Sequence, residues 1–362
     1  MTSRWRRAQE SAAARGIDAV VLTPGANLRY LTGYDAKPLE RLTAFVLPAT
    51  GDPVLIVPEL ERAAADAAGV DAEIVAWAET DDQYAVLAGQ LGAARSIAVD
   101  DQMWAVRVLA IQSALPDAAI STAGELLSSL RGRKDADEVS ALREAGQAID
   151  RVHARMGEWL RPGRSEREVG ADIARAIVDE GHVSVDFVIV ASGPNGASPH
   201  HEVSDRVIEP GDPVVVDIGG TMPSGYCSDS TRTYVAGGVA PQEFVAAYAV
   251  LLAAQTAQRE FARAGVEAQA VDAVGRMMLA DAGLSDYFIH RTGHGIGLET
   301  HEEPYIVAGN SVALEPGNAF SIEPGFYLPG RYGARIEDIV VVTDDGGVEV
   351  LNTTPRDLTT LG

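Results

Sequence analysis

PVVVDIGGTMPSGYCSDSTRTYVAGG, residues 213–238, decides the fold. Two apolar, β-branched runs flank a glycine- and proline-rich turn, the pattern of a strand pair, and each run carries one acid, Asp217 and Asp229. The stretch AFSIEPGFYLPGRYGARIEDIVVVT, residues 319–343, repeats the plan with Glu323 and Glu337. Acids are depleted in strands and are rarely buried unless paired. An ionised carboxylate isolated in an apolar sheet is costly, so such a group shifts its pKa, meets a base or binds a metal. Two hairpins, each offering two carboxylates, read as two related halves facing one another.

Arg232 and Arg335 are near enough in sequence to satisfy one or two of these acids as structural salt bridges. Four acids without four basic partners favour a divalent cation. A nitrogen ligand is available in HRTGHGIGLETHEEP, residues 290–304, which holds three of the seven histidines: His290, His294 and His301. Glycines on both sides of His294 would let the backbone approach a metal or substrate closely. Four carboxylates and one imidazole form a hard, oxygen-rich set that suits manganese, cobalt or zinc more than copper. Four negative charges balance two divalent ions. A pair of such ions roughly 3.5–4 Å apart lowers the pKa of a water between them and polarises a scissile carbonyl, which is hydrolytic chemistry.

Outward from the hairpins, the chain of 362 residues is long enough for two domains. Residues 1–130 alternate β-type runs (DAVVLT, TAFVLP, PVLIVP, AEIVAW, SIAVD) with alanine-rich helical segments, the pattern of a small α/β domain. From Asp135 to about Leu160, the spacing of Val139, Leu142, Ile149, Val152, Met156 and Leu160 predicts one long amphipathic helix. Ser165 and Glu168 have the spacing of a capping box that opens the next helix. Two more helices are expected at about 241–264 and 266–282. Long helices interleaved with hairpin strands make residues 131–362 an α+β domain.

Composition excludes several function classes. With 29 basic and 52 acidic residues the formal charge is −23, which disfavours nucleic acid or an anionic membrane as partner. Apolar runs fall well short of the ~20 residues a membrane helix needs. The start, MTSRWRRAQESAAARG, has no apolar segment after its basic residues, so it does not read as a secretory leader. The single cysteine, Cys227, permits no intrachain disulfide and reads as a small buried hydrophobe. A soluble cytoplasmic protein is the expectation. His153 and His182 are read as surface or capping residues. His201 is read as exposed, exchanging roles with His200 if the register shifts by one.

DIG with DSTRT, then GHGIG, SIEPG and RIED, in that order, resemble the creatinase, aminopeptidase P and prolidase family of pita-bread metallopeptidases. NLRYLTGYD, residues 27–35, resembles the N-terminal domain of its proline-specific members, so the likeness spans nearly the whole chain. It implies a creatinase-like N-terminal α/β domain, with dimer contact and substrate access as its roles, and a pita-bread catalytic domain of pseudo-twofold halves. By the same resemblance Asp217 chelates one metal, His294 and Glu323 the other, and Asp229 and Glu337 bridge them. Glu323 is then also the proton shuttle. His200 and His301 donate hydrogen bonds to the oxyanion and the peptide carbonyl, with His290 and Arg335 in support. Many members set the second aspartate eleven positions after the first, whereas Asp229 is twelve after Asp217. The extra residue is expected in the GYCS turn, as a bulge.

The implied activity is metal-dependent hydrolysis of the bond before proline in short peptides, by a homodimer using manganese, or else cobalt or zinc. Dipeptidase and aminopeptidase share every motif quoted. Three other readings compete: a metal-free creatinase-like amidinohydrolase, a non-enzymatic pita-bread binding module, and a methionine aminopeptidase. Members of the first two have usually lost the carboxylates that this chain keeps, and the third normally lacks an N-terminal domain.

Overall fold

A computed structural model describes residues 3–362. The chain forms two compact units, the first ending at Arg131 and the second spanning Gly132–Gly362.

The first unit is built on strands β1 (Ala19–Leu22), β2 (Ala44–Pro48), β3 (Val54–Pro58), β4 (Glu73–Trp77), β5 (Ser96–Val99) and β6 (Ala119–Thr122). They form one mixed sheet in the order β4-β3-β2-β1-β5-β6. Helices α1 (Arg4–Ala14), α2 (Ala26–Thr32), α3 (Arg62–Ala68), α4 (Gln83–Leu91), α5 (Ala105–Ala114) and α6 (Gly124–Arg131) pack around it. Five strands are the apolar runs of the sequence. The sixth, β6, has no counterpart among those runs: it is a largely exposed edge strand whose Ser121 and Thr122 give no apolar signal. α1 buries Trp5, Ala8 and Ala12 at helical spacing, so the basic N-terminal stretch is a packed element. Met1 and Thr2, where the reading of that stretch begins, lie outside the described residues.

In the second unit α7 (Ala136–Ala154) starts at Asp135, whose side chain accepts from the Glu138 N–H in a capping box. The helix stops six residues before the expected Leu160, and a 3-10 turn at Met156–Glu158 follows. Met156 and Leu160 still reach the core through that turn, which is why they fit a helical period without being helical. Ser165 and Glu168 form the second capping box, at the start of α8 (Glu166–Asp179). The remaining helices are α9 (Gln242–Phe261) and α10 (Ala268–Asp281).

Strands β7 (Ser184–Ser192), β8 (Asp212–Thr221) and β9 (Cys227–Ala236) form one sheet, closed by β17 (Thr359–Leu361) beside β9. A second sheet runs β11-β10-β12-β15-β16, from Glu302–Ile306, Gly293–Gly295, Ala319–Ile322, Asp338–Val342 and Val348–Val350 respectively. α7 and α8 lay Ile149, Val152, Val169 and Ile173 on Val214, Val216 and Ile218 of β8. In the second sheet Ala268 and Val271 of α10 pack on Phe320, Ile322, Val340 and Val342. Side chains alternate across a strand, so these contacts fix what the opposite faces carry. On β8 and β9 they carry Asp217, Asp229 and Thr231; by the same alternation Ser321 lies there on β12, with Glu323 and Glu337 at the adjoining strand ends.

Two register details place the acids. β8 and β9 pair without interruption from Asp212 opposite Ala236 to Thr221 opposite Cys227. The extra residue between the aspartates therefore sits in the loop 222–226, not in a bulge of that pair; the irregularity falls instead between β7 and β8, at Val185/Phe187. In the second hairpin, β12 pairs with β15, and a separate ribbon of β13 (Gly325–Leu328) and β14 (Tyr332–Arg335) continues in the same alignment. The break lies at Glu323-Pro324 and Ile336-Glu337. There Glu323 donates its N–H to the Thr292 carbonyl and Glu337 to the Thr231 carbonyl. The two strands stay linked across this point by the Ile336 N–H, which donates to the Pro324 carbonyl at 3.3 Å. Among the described residues no helix is long and apolar enough to cross a membrane.

Candidate metal centre

His294 sits on the three-residue strand β10, and its neighbours explain the GHGIG motif. A Cβ on Gly293 would lie 1.9 Å from the Ser321 carbonyl oxygen, and one on Gly295 2.3 Å from that of Glu303. The glycines let β10 slide between its neighbouring backbones. Held there, His294 donates its N–H to Ser321 Oγ and its Nδ1–H to the Gly295 carbonyl, 3.1 Å away. A carbonyl only accepts, so Nε2 is the nitrogen left to face the acids. It lies 3.1 Å from Glu323 Oε1 and 3.7 Å from Asp229 Oδ2.

Ligand atoms of Asp229, His294 and Glu337, all buried, lie within 4.8 Å of one another. Asp217 and Glu323 line the same cavity. Two oxygens of the set, Asp217 Oδ1 and Glu337 Oε1, are buried with no hydrogen-bond partner. On the other sides, Arg335 Nη2 donates to Asp217 Oδ2 at 2.6 Å, Thr231 Oγ1 to Glu337 Oε2 at 2.8 Å and Ser321 Oγ to Glu323 Oε1 at 3.0 Å.

Among the described residues, Arg335 is the basic side chain that serves these four acids, and it also stands 3.9 Å from Glu323. Arg232, the other base near in sequence, turns away to Asp338 and to the carbonyls of Glu337 and Thr354. Burial, then the charges of neighbouring acids, pushes Asp229 and Glu337 well above the ordinary carboxylate range. Burial also acts to raise Glu323, but the hydrogen bond and charge of His294, aided by His290 and Arg335, outweigh it and hold the group at about 2. A buried set this short of positive charge, with two oxygens aimed at nothing, has the donor chemistry of a divalent-metal site.

The cavity over this set measures about 840 Å³, a size for small ligands. Its apolar wall is Phe187 and Ile189 of β7, which lie opposite Gly219 and Asp217 of β8. His200 and His301 line it as well. The His301 ring stands at a steep angle to that of His294, centroids 4.1 Å apart. Burial, then the charges of His294 and Arg291, lowers His301 to about 4, so it is a neutral hydrogen-bond donor at pH 7. His290 and Arg335 meet through Tyr327, whose hydroxyl accepts from Arg335 Nη1 at 2.7 Å and donates to His290 Nε2 at 2.9 Å.

The structure corrects several expectations about the remaining residues. His201 is not exposed: its Nε2 contacts Glu166 at 2.8 Å, which leaves His200 as the outward-facing member of the pair. His153 is a core residue bonded to Tyr234 Oη and the Ser230 carbonyl. His182 caps α8 through the Ile177 carbonyl, yet is buried. Cys227 is buried, as expected, and burial raises its thiol to about 11, far from a nucleophile's value. Thr231, Ser321 and Tyr327 join the site although nothing in the sequence reading singles them out. The first two are legible in principle, since each is two residues from an acid along its strand and so shares that acid's face.

Residues 140–344 match the Metallopeptidase family M24, and residues 4–132 match the Creatinase/Prolidase N-terminal domain. The chain is 54% identical over 360 residues to the probable dipeptidase PepE of Mycobacterium tuberculosis, covering 98% of this chain and 95% of that one. It is 36% identical over 342 residues to the Xaa-Pro dipeptidase of Lactobacillus delbrueckii subsp. lactis, covering 91% and 92%. Among solved structures it resembles dipeptidase PepE from Mycobacterium ulcerans, with TM-score 0.93, 52% identity and coverage of 99% and 97%. Recombinant prolidase from Thermococcus sibiricus gives TM-score 0.93 at 36% identity, over the full length of both chains.

Proposed function

Because the chain belongs to the Metallopeptidase family M24, with a creatinase/prolidase N-terminal domain before the catalytic unit, we propose that it is an Xaa-Pro dipeptidase holding two divalent metal ions, manganese in the cell. The observation that carries this reading is the buried cluster of Asp229, His294 and Glu337 beside the partnerless oxygens of Asp217 and Glu337. Asp217, Asp229, His294, Glu323 and Glu337 are the residues that would hold the ions. When bound, such ions would supply Lewis acidity toward the scissile carbonyl and a water of lowered pKa.

The protein's own groups do the rest. Arg335 and Thr231 fix the orientation of Asp217 and Glu337, so the ligand set is assembled before substrate arrives. Glu323, held ionised beside His294, is the group assigned to accept the proton of the attacking water. His301, neutral and facing the cavity, donates to the carbonyl oxygen as charge builds on it, and His200 donates beside it. Phe187 and Ile189 offer an apolar surface on which a pyrrolidine ring can pack. Arg291 lies in the same cavity, stacked 4.4 Å from the centre of the Tyr305 ring, and no acid is paired with it among the described residues. It is free to meet a substrate carboxylate, which favours a dipeptide over a longer chain.

Ala-Pro, Gly-Pro and an Xaa-Pro-Xaa tripeptide, each assayed with added manganese, test the proposal. Hydrolysis of the dipeptides at higher kcat/KM than the tripeptide is expected. Inactivity on all three with metal bound would refute it, and preference for the tripeptide would make the protein an aminopeptidase. The metal-free amidinohydrolase and the binding module are not favoured, since all five acid and histidine positions are present and the relatives named above are dipeptidases and a prolidase. Dimerisation through the first unit and a cytoplasmic location complete the proposal; light scattering tests the first and fractionation the second.

A further inference from the structure

His200 stands on a stretch with no regular structure to hold it: from Ser198 to Ser204 the chain is turn and coil. What holds that stretch is one carboxylate. Glu166, in the first turn of α8, is fully buried, and its oxygens accept hydrogen bonds from residues on both sides of His200. Before it, the Ser192 N–H and Oγ donate to Oε1 at 2.8 and 2.7 Å, and Asn195 Nδ2 reaches both oxygens. After it, His201 Nε2 and Ser204 Oγ donate to Oε2 at 2.8 and 2.6 Å. Burial alone would favour the neutral acid, but these donors outweigh it and keep the group ionised. A carboxylate at a helix N-terminus is further favoured by the helix dipole.

We infer that Glu166, acting through its bond to His201, is a positioning residue that sets His200 in the cavity, an inference that rests on the reading of His200 as a group that touches substrate. The bonds to Glu166 close the chain between Ser192 and Ser204 around a single buried acid, so the backbone on either side of His200 has little freedom. His201 is adjacent to His200, and the two side chains diverge from neighbouring backbone positions. Both line the cavity, and His201 is the one that also meets the buried acid. Arg335 adds a tie from the metal side, with both terminal nitrogens near the Pro199 carbonyl at 3.4 and 3.5 Å. Losing the His201 bond would leave Glu166 its serine and asparagine donors, so the helix start survives while the segment carrying His200 loosens.

The test is a double-mutant cycle on the metal-loaded full chain, with Ala-Pro as substrate. His201→Ala is expected to lower kcat by ~10- to 100-fold, the scale of a small misplacement of a reacting group, with metal content and Tm near wild type. His201→Gln, which keeps a donor toward Glu166, should recover most of that loss. In a His200→Ala background, His201→Ala should lower kcat no further, because the group it positions is gone. An equal loss in both backgrounds, or an unchanged kcat in His201→Ala alone, would overturn the inference. A fully active His200→Ala would overturn it together with the role given to His200, while leaving the metal-centre reading intact.

Discussion

Glu323 carries two duties that one substitution can separate. It lies 3.1 Å from His294 Nε2 as a prospective ligand, and it is the acid assigned to take the proton of the attacking water. Glu323→Gln keeps the shape and one oxygen but removes the base, so turnover should vanish while thermal unfolding stays cooperative; near-normal kcat would end the shuttle role. His301→Ala should lower kcat by ~10²–10³, the cost of removing one oxyanion donor, and a change confined to KM would count against that role. At this scale the sequence is informative about acids and imidazoles, because a charged group in an apolar run has few explanations. It is silent on His201, since nothing in ASPHH tells which histidine meets a carboxylate from a helix that starts far earlier in the chain.

His153 provides a residue-scale prediction about pH. Burial, then the charge of Arg232, lowers it from the usual histidine value to about 3. The unfolded chain binds a proton there below about pH 6.5, whereas the folded chain resists it until about pH 3. The unfolded state thus holds more protons in that window, so this group penalises folding progressively as pH falls through it. His153→Gln should flatten the fall of Tm between about pH 6 and pH 4 relative to wild type. An unchanged slope would mean that other groups set the acid response.

Strands, rather than helices, determine where the chemistry sits. Period-2 alternation sends the apolar residues of β8, β9, β12 and β15 to the helices and leaves the other face to Asp217, Asp229, Thr231 and Ser321. The same rule makes the hairpins legible from sequence, and makes β6 illegible, because an exposed edge strand lacks the apolar partners that create the pattern. The end of α7 departs from the sequence expectation for a related reason: Met156 and Leu160 are buried at helical spacing through a 3-10 turn. The β10 glycines give the element-scale prediction. Gly293→Ala forces a Cβ into the Ser321 carbonyl, a backbone atom that cannot swing aside, and overpacking of this kind costs ~1–3 kcal/mol or more. Chemical denaturation should show that loss together with weakened metal binding; a variant as stable as wild type would mean that β10 can move.

Across the whole molecule, the site is a local source of instability that metal relieves. Asp229 and Glu337 are raised as carboxylates, so ionising them is penalised in the folded, metal-free protein. That penalty is absent below the ordinary carboxylate range and grows as pH rises through it. Divalent ions remove it by neutralising the same charges, and the assembled ligand set exists in the folded state alone. The difference in Tm between metal-loaded and chelator-stripped protein should therefore widen from about pH 5 to pH 8. A gap that stays constant over that range would argue that the acids are not in electrostatic conflict.

The most direct measurement is the recovery of Ala-Pro hydrolysis as manganese is titrated into stripped protein, read against metal bound per chain. Activity is expected to rise with bound metal and to level off at two ions per chain in wild type, with none recovered in Asp229→Ala. Full hydrolysis without metal, or two ions bound with no cleavage of the peptide, would contradict the assignment of this buried acid and imidazole cluster as the catalytic centre.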